Sequence, residues 1–246
     1  LRYQESVLGY LWSLVKPLML FGILYVVFTK FLHIGKGVPN YALSLLLGIV
    51  LWTFFVEATS NSLKSIVSRG GLLRKIKIPI YLVPLSTSAS ALINLALNLI
   101  VVFVFVVFSR NTALSFQTIV LLPIIIAELI LLATGLGFFL SAVYVRFRDI
   151  DHIWDVVRQA LFYTIPIIYP LNRITSIPLQ KVIILNPLSQ IIQDARVIVT
   201  YPGTTTINDL FGSRLYELLP VGATIFIFIF GYKYFSKRAD SFAEDV

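Results

Sequence analysis

Glu128 stands between Ala127 and Leu129 inside a long apolar run. A carboxylate at mid-bilayer depth costs about 2.5 kcal/mol or more unless it is protonated, paired or facing water. Two roles follow: a cavity-lining or proton-linked group, or a structural hydrogen bond to a neighbouring helix. Glu57, near the end of another apolar run, reads as an interfacial acid whose stem reaches toward the membrane surface. Asp149-Ile150-Asp151 places two carboxylates one residue apart. Such a pair can hold a divalent metal on a nucleotide sugar, the chemistry of a membrane glycosyltransferase. Asp149 also stands where the N-cap of a following helix belongs. His33 and His152 are far apart and cysteine is absent, so histidine metal centres and thiolate chemistry are unsupported. A Ser-His-Asp nucleophilic site lacks a suitable histidine. No G-x-x-x-x-G-K-[ST] loop occurs. If ATP drives this protein, another chain hydrolyses it.

The elements that must position these residues follow from composition. Of 246 residues, 58% are apolar and 13% charged, and the mean hydropathy is +0.88. Soluble domains average about 45–50% apolar and about 25% charged. One globule of this size could not bury so much apolar surface. A water-soluble enzyme, a nucleic-acid binder and a disordered tail are excluded, and an integral membrane protein remains. Apolar runs long enough to cross a bilayer, about 17–25 residues, lie near Pro17–Leu32, Tyr41–Ser60, Leu82–Phe108, Ile119–Val145 and Leu218–Phe235. A sixth, Ile153–Leu171, is interrupted by Pro166 and Pro170. The expected fold is therefore all-α with six transmembrane helices, a single membrane domain over residues 1–246. Leu1 is not an initiator methionine, so a preceding N-terminal segment is expected, and no signal-peptide pattern precedes the first span.

The net charge of +8 is unevenly distributed. With both termini on one side, that side collects most of the 20 Lys and Arg residues, including Lys64, Arg69, Arg74, Lys75 and Lys77 between spans two and three. The positive-inside rule then puts both termini in the cytoplasm.

Three segments are neither plain spans nor plain loops. In Ser60–Pro79, Leu72, Leu73, Ile76 and Ile78 interleave with Arg74, Lys75 and Lys77. In Arg146–Arg158, Ile150, Ile153, Trp154 and Val157 recur at helical spacing, which predicts a cytoplasmic surface helix leading into span five. In Asn172–Arg214, the apolar run Val182–Leu185 is followed by Asn186-Pro187, a helix start, and then by Leu188, Ile191, Ile192 and Ala195 at helical spacing. That last segment is too apolar for a solvated loop. It predicts outer re-entrant helices, which are tolerated in a membrane only when buried in protein or lining a water-filled cavity.

Aromatics make up 14% of the chain. Trp52, Phe54 and Phe55 cluster in span two, Phe138 and Phe139 in span four, and Phe162, Tyr163 and Tyr169 flank span five. Membrane-interface belts account for most such residues; a lining on which pyranose rings stack is the alternative.

Residues 1–17, LRYQESVLGYLWSLVKP, resemble the start of the polysaccharide-export permeases, the ABC-2 type membrane subunits that export O-antigen, capsule and teichoic-acid polymers. The likeness continues through 72–79 (LLRKIKIP), 82–86 (LVPLS), 144–150 (YVRFRDI), 162–170 (FYTIPIIYP), 186–188 (NPL) and Arg196. The resemblance implies six spans per subunit and two such subunits around a channel. It also implies two cytoplasmic ATP-binding cassette subunits that carry ATP and Mg, with no cofactor in this chain. It assigns contacts with the ATPase to Ser68–Lys77 (Arg69, Leu72, Leu73, Arg74, Lys75) and to Arg146–Asp155 (Arg148, Asp149, Asp151). The re-entrant helices, about Ile174–Val199, resemble the family's outer gate, with Tyr169, Pro170, Asn186, Pro187 and Arg196 as its marked residues. An aromatic channel is known in the family, which points to Trp52, Phe55 and Tyr163 as lining, with Glu128 a further candidate. The family usually has a longer cytoplasmic N-terminal segment than is seen here. The expectation is a non-enzymatic transport subunit in the bacterial cytoplasmic membrane, moving a lipid-linked polysaccharide outward. A permease for drugs or small lipids and a membrane glycosyltransferase using Asp149 and Asp151 are the alternatives. Its expected contacts are the cassette subunits, a second copy, the glycolipid and membrane lipid, with no nucleic acid.

Overall fold

A computed structural model describes residues 12–35, 37–73, 79–109, 116–239 and 242. All regular elements among them are helical. Helix α1 (Trp12–Tyr25) continues into a π-helical turn, Val26–Phe31. It is followed by α2 (Tyr41–Ser68), the short α3 (Gly70–Leu73), α4 (Leu82–Phe108), α5 (Phe116–Arg146) and α6 (Ile150–Thr164). Then come α7 (Ile177–Ile184), α8 (Pro187–Val199), the short α9 (Ile207–Phe211) and α10 (Leu218–Arg238). Five helices among the described residues are long and apolar enough to cross a membrane: α1 with its π turn, α2, α4, α5 and α10 with the turn before it.

Helix α2 is the hub, packed against α1, α4, α5, α6 and α8. Leu45, Leu47, Ile49, Leu51 and Ala58 are fully enclosed. Lipid tails are as apolar as leucine, so such helices associate through close backbone approach and polar contacts rather than by expelling water. Both devices are present. A Cβ on Gly231 of α10 would stand 2.1 Å from the Gly135 carbonyl oxygen of α5, so the two backbones touch there. The Ser62 hydroxyl of α2 meets the hydroxyls of Thr87 and Ser88 on α4 at 3.1 and 3.3 Å.

Helix α2 extends eight residues past the expected end at Ser60, into the stretch Ser60–Pro79 that reads as neither a plain span nor a plain loop. There Ser62 and Ser65 are buried together with Leu63 and Ile66, while Lys64 and Ser68 stay exposed. Glu57 consequently lies well inside the helix, where it accepts a hydrogen bond from Asn94 Nδ2 of α4 at 2.8 Å.

The sixth expected span is not a long helix. Helix α6 has 15 residues and ends at Thr164 because Ile165 precedes Pro166 and takes an extended conformation (φ −74°, ψ 138°). The surface helix and the span expected separately are thus one short helix. On its expected apolar face only Trp154 is buried, while Ile153 is exposed. Asp149 holds the N-cap position without making the capping hydrogen bond expected of it.

Two ties nevertheless stretch this segment along α2. At one end Lys64 Nζ pairs with Asp151 Oδ2 at 2.6 Å. At the other, the Tyr41 hydroxyl donates to the Ile168 carbonyl at 2.6 Å. Tyr41 and Lys64 lie about 35 Å apart along α2, and α6, the turn at residues 165–168 (Ile167 N donates to the Ile165 carbonyl at 2.7 Å) and the long Lys64 and Tyr41 side chains together bridge that length. The segment from Asp151 to Ile168 therefore runs alongside α2 from its Lys64 end to its Tyr41 end, as a helix followed by a turn.

Helices α7 and α8 form a pair bent by 95°. The pair leaves from Ile168, at the Tyr41 end of α2. It returns to that same end, where Asn40 Nδ2 donates to the Thr200 carbonyl at 2.9 Å and the Ser44 and Thr200 hydroxyls meet at 2.8 Å. Between these ties α8 runs antiparallel to α5, from Thr118, which donates to the Ile198 carbonyl at 3.1 Å, to Glu128, beside Gln190. Both ends of the pair are thus held at the Tyr41 end of α2.

Candidate functional site

Helix α8 begins as the Asn186-Pro187 pattern predicts. Asn186 Oδ1 accepts from Leu188 N at 2.9 Å, and Pro187 occupies the first turn, where no amide donor is required. Leu188, Ile191, Ile192 and Ala195 are all buried. The polar residues Gln190, Gln193 and Arg196 are buried as well, so the helix is enclosed on more than its apolar face. A buried guanidinium requires acceptors for its donors, and Arg196, 4% exposed, has them. Its Nη1 donates to the Pro166 carbonyl at 2.5 Å and to Gln193 Oε1 at 3.0 Å. Nη2 donates to the Ile167 carbonyl at 2.6 Å and Nε to the Ser44 carbonyl at 3.1 Å. One side chain thus ties α8, α2 and the turn after α6 together, and it caps the Pro166 and Ile167 carbonyls, which belong to no helix.

The five residues expected at an outer gate converge. Tyr169, Pro170 and Arg196 line one polar pocket of about 190 Å³. Tyr169 and Asn186 line a neighbouring, mainly apolar cleft of about 820 Å³, with Pro187 adjoining it at the start of α8. Tyr169 stands between the two cavities, and its hydroxyl donates to the Thr164 carbonyl at 2.7 Å.

At the opposite end of α2 a groove of about 750 Å³ opens between α2, α4 and α6. Cations Lys64, Arg69 and Arg158 share its wall with carboxylates Glu57, Asp151 and Asp155. Two of the cations are paired, Lys64 with Asp151 and Arg158 with Asp155, while Arg69 Nη1 donates to the Ser86 hydroxyl at 2.6 Å. Asp151 and Arg69, both expected at an ATPase contact, therefore line one groove. Arg148 and Asp149 are exposed just before α6, with the Arg148 guanidinium 5.2 Å from the Tyr144 ring centre. Leu72 and Leu73 belong to the α3 backbone. Arg74 and Lys75 lie outside the described residues.

The expected aromatic lining divides. Trp52 and Phe55 are 7% and 1% exposed and pack inside the single chain, Trp52 against Phe162 (5.5 Å between ring centres) and Phe55 against Trp154 (6.2 Å). Tyr163, on the outer face of α6, is 63% exposed. Glu128 is half-buried near the middle of α5. Among the described residues no three His, Cys, Asp or Glu side chains converge as a metal site would require.

Sequence reasoning singled out Glu128 and Arg196 but missed their partners, Gln190, Gln193, Asp194 and Thr224. The available signal was three amide or acid residues, Gln190, Gln193 and Asp194, within an otherwise apolar helix. Five long apolar helices among the described residues, together with a bent helix pair, define a multi-span integral membrane protein. The chain belongs to the ABC-2 type transporter family, whose model matches residues 1–199. It is similar to the O-antigen export system permease protein RfbA of Klebsiella pneumoniae, at 28% identity over 99% of this chain and 89% of that protein. A second RfbA from Klebsiella pneumoniae is 29% identical over 78% of this chain and 72% of its own length. The RfbA permease of Myxococcus xanthus is 26% identical over 76% and 71%.

Proposed function

We propose that the chain is the transmembrane subunit of an ATP-driven exporter that moves a lipid-linked polysaccharide of the O-antigen or teichoic-acid type outward across the bacterial cytoplasmic membrane. The observation that carries this reading is the nearly full-length likeness to a permease named for O-antigen export. Two copies, each with an ATP-binding cassette subunit that hydrolyses the nucleotide, form the working unit, with both termini in the cytoplasm. The traverse through α6 and residues 165–168 completes six crossings with the five long helices, and α7–α8 then lies at the outer face as the gate.

In this arrangement the Lys64–Asp151 pair ties the start of α6 to the cytoplasmic end of α2, next to Arg69 and α3. Closure of the cassette dimer on ATP pushes these segments, and the push passes up α6 to the turn residues Pro166 and Ile167 that Arg196 grips. A switch of this kind needs only that ATP favour one of two arrangements over the other. The exposed side of α6, with Ile153, Val156 and Tyr163, faces the second copy and the polymer path. The lipid diphosphate is drawn to the basic residues of the cytoplasmic face. The groove itself balances its charges, three cations against three carboxylates, so the attraction rests on Arg74, Lys75 and Lys77. The glycosyltransferase alternative needs Asp149 and Asp151 free for a metal, whereas Asp151 is engaged by Lys64.

The test is deletion of the gene with complementation. Loss of surface polymer with accumulation of lipid-linked polymer inside the cell, together with copurification of a cassette ATPase, is the expected result. Metal-dependent sugar transfer by the isolated chain overturns the reading.

A further inference from the structure

Helices α5, α8 and α10 pack pairwise, and a polar cluster sits where they meet. Gln190 of α8 and Thr224 of α10 lie beside the Glu128 carboxyl of α5, and Asp194 of α8 faces it. Gln190 is 3% exposed and Thr224 is fully buried. Despite this proximity, Glu128 Oε1, Gln190 Oε1 and Thr224 Oγ1 are all buried without a hydrogen bond of ordinary geometry. The Gln190 amide nitrogen is committed to Asp194 Oδ2 at 2.5 Å. Two polar side chains with an unsatisfied oxygen, Gln190 on α8 and Thr224 on α10, thus flank a carboxyl of α5 whose own Oε1 is unsatisfied.

The donor count decides what is missing. An ionised carboxylate and an amide oxygen are both acceptors, and the Thr224 hydroxyl brings one proton. With Glu128 ionised, one of the two buried acceptors stays without a donor, and two carboxylates face each other away from bulk water. One added proton resolves both. The Glu128 O–H donates to Gln190 Oε1, the Thr224 hydroxyl donates to the remaining Glu128 oxygen, and Asp194 keeps the Gln190 amide.

We propose that Glu128 is a proton-binding site that holds α8 docked on α5 and α10, so that loss of the proton loosens the re-entrant helix. The charged groups around it agree in sign. From α8 it faces Asp194, and Asp194 in turn faces Glu217 at the start of α10. Arg196 is turned away, its guanidinium closed by Ser44, Pro166, Ile167 and Gln193. Among the described residues no Lys, Arg or His faces the Glu128 carboxyl. Rising pH therefore adds a negative charge beside Asp194 and leaves Gln190 Oε1 unsatisfied. The proposal concerns the docking of α8 and stands whether or not that helix gates a polymer.

The experiment uses the full chain in lipid nanodiscs. Infrared spectra at neutral pH should show a protonated-carboxyl band that Glu128→Gln removes and Asp194→Asn retains. Hydrogen exchange, corrected for intrinsic rates, should show protection of residues 190–196 falling as pH rises in the parent and staying flat in Glu128→Gln. Thr224→Val, which nearly keeps the volume, should move the pH at which the band disappears. A neutral-pH spectrum with no Glu128-dependent band overturns the proposal. So does a band lost in Asp194→Asn instead, an exchange profile shared by parent and Glu128→Gln, or a titration that Thr224→Val leaves in place.

Discussion

A β-carbon on Gly48 would stand 2.8 Å from Nη2 of Arg196, so α2 admits the guanidinium only because position 48 carries no side chain. Arg196 cannot simply swing aside, since its donors are fixed on the Pro166, Ile167 and Ser44 carbonyls. Arg196→Met should cost about 2–4 kcal/mol, because each buried carbonyl left without a donor costs about 1–3 kcal/mol. Gly48→Ala should cost about 1 kcal/mol in the parent and nearly nothing in the Arg196→Met background, a coupling that only contacting residues show. Thermal unfolding of the four proteins in detergent checks it; additive losses would mean that the two positions do not meet.

The contact between α5 and α10 carries its own control. A Cβ on Gly231 would lie 2.1 Å from the Gly135 carbonyl oxygen, while one on Gly222, on the same helix, meets nothing within 4 Å. Backbone cannot yield as a side-chain tip can, so Gly231→Ala should destabilise by about 1–3 kcal/mol. Gly222→Ala should leave Tm unchanged or slightly raised. Equal effects at the two positions would show that α5 and α10 are not in backbone contact.

How far the sequence specified this arrangement differs between α4 and α8. Helix α4 matches its expected range, Leu82–Phe108, because an uninterrupted apolar run leaves few alternatives. Helix α2 runs longer than its apolar stretch because Ser62 and Ser65 are buried against other helices, and a hydropathy profile counts serine as loop-like wherever its hydroxyl points. Helix α6 falls short of a span for the reason visible beforehand, Pro166. That the segment still reaches from one end of α2 to the other depends on Tyr41 and Lys64, more than 80 residues away in sequence. Glu128 and Arg196 were legible as unusual residues. Their partners were not, because Ser44, Pro166 and Thr224 are ordinary residues until folding brings them within reach.

The Lys64–Asp151 pair separates stability from coupling. Its side chains are 53% and 27% exposed, and ion pairs so open to solvent contribute at most about 1 kcal/mol. Lys64→Ala and Asp151→Ala should therefore barely move Tm. If the pair carries the stroke of a cassette subunit into α6, both variants should lower polymer export several-fold at unchanged permease abundance. The exchanged pair Lys64→Asp with Asp151→Lys should recover part of the loss. Export at parental level in the single variants would remove the pair from the coupling path.

Trp52 and Tyr163 lie on the two sides of α6 and should fail in different ways. Trp52 is enclosed between Phe55 and Phe162, and emptying such a site costs about 3–5 kcal/mol through the cavity left behind. Trp52→Ala should thus lower Tm and abundance, with export falling in proportion to the protein that remains. Tyr163 projects from the bundle, its ring edge against Phe162 at 5.5 Å, and Tyr163→Ala removes little that holds the single chain together. Its Tm should stay near parental. If α6 faces the polymer path, export per permease should fall, and Tyr163→Phe, which keeps a ring on which a sugar can stack, should restore it. Measuring export against quantified permease for the three variants separates a packing aromatic from a lining one. A Tyr163→Ala protein that exports normally would leave the exposed face of α6 to lipid or to the second copy alone.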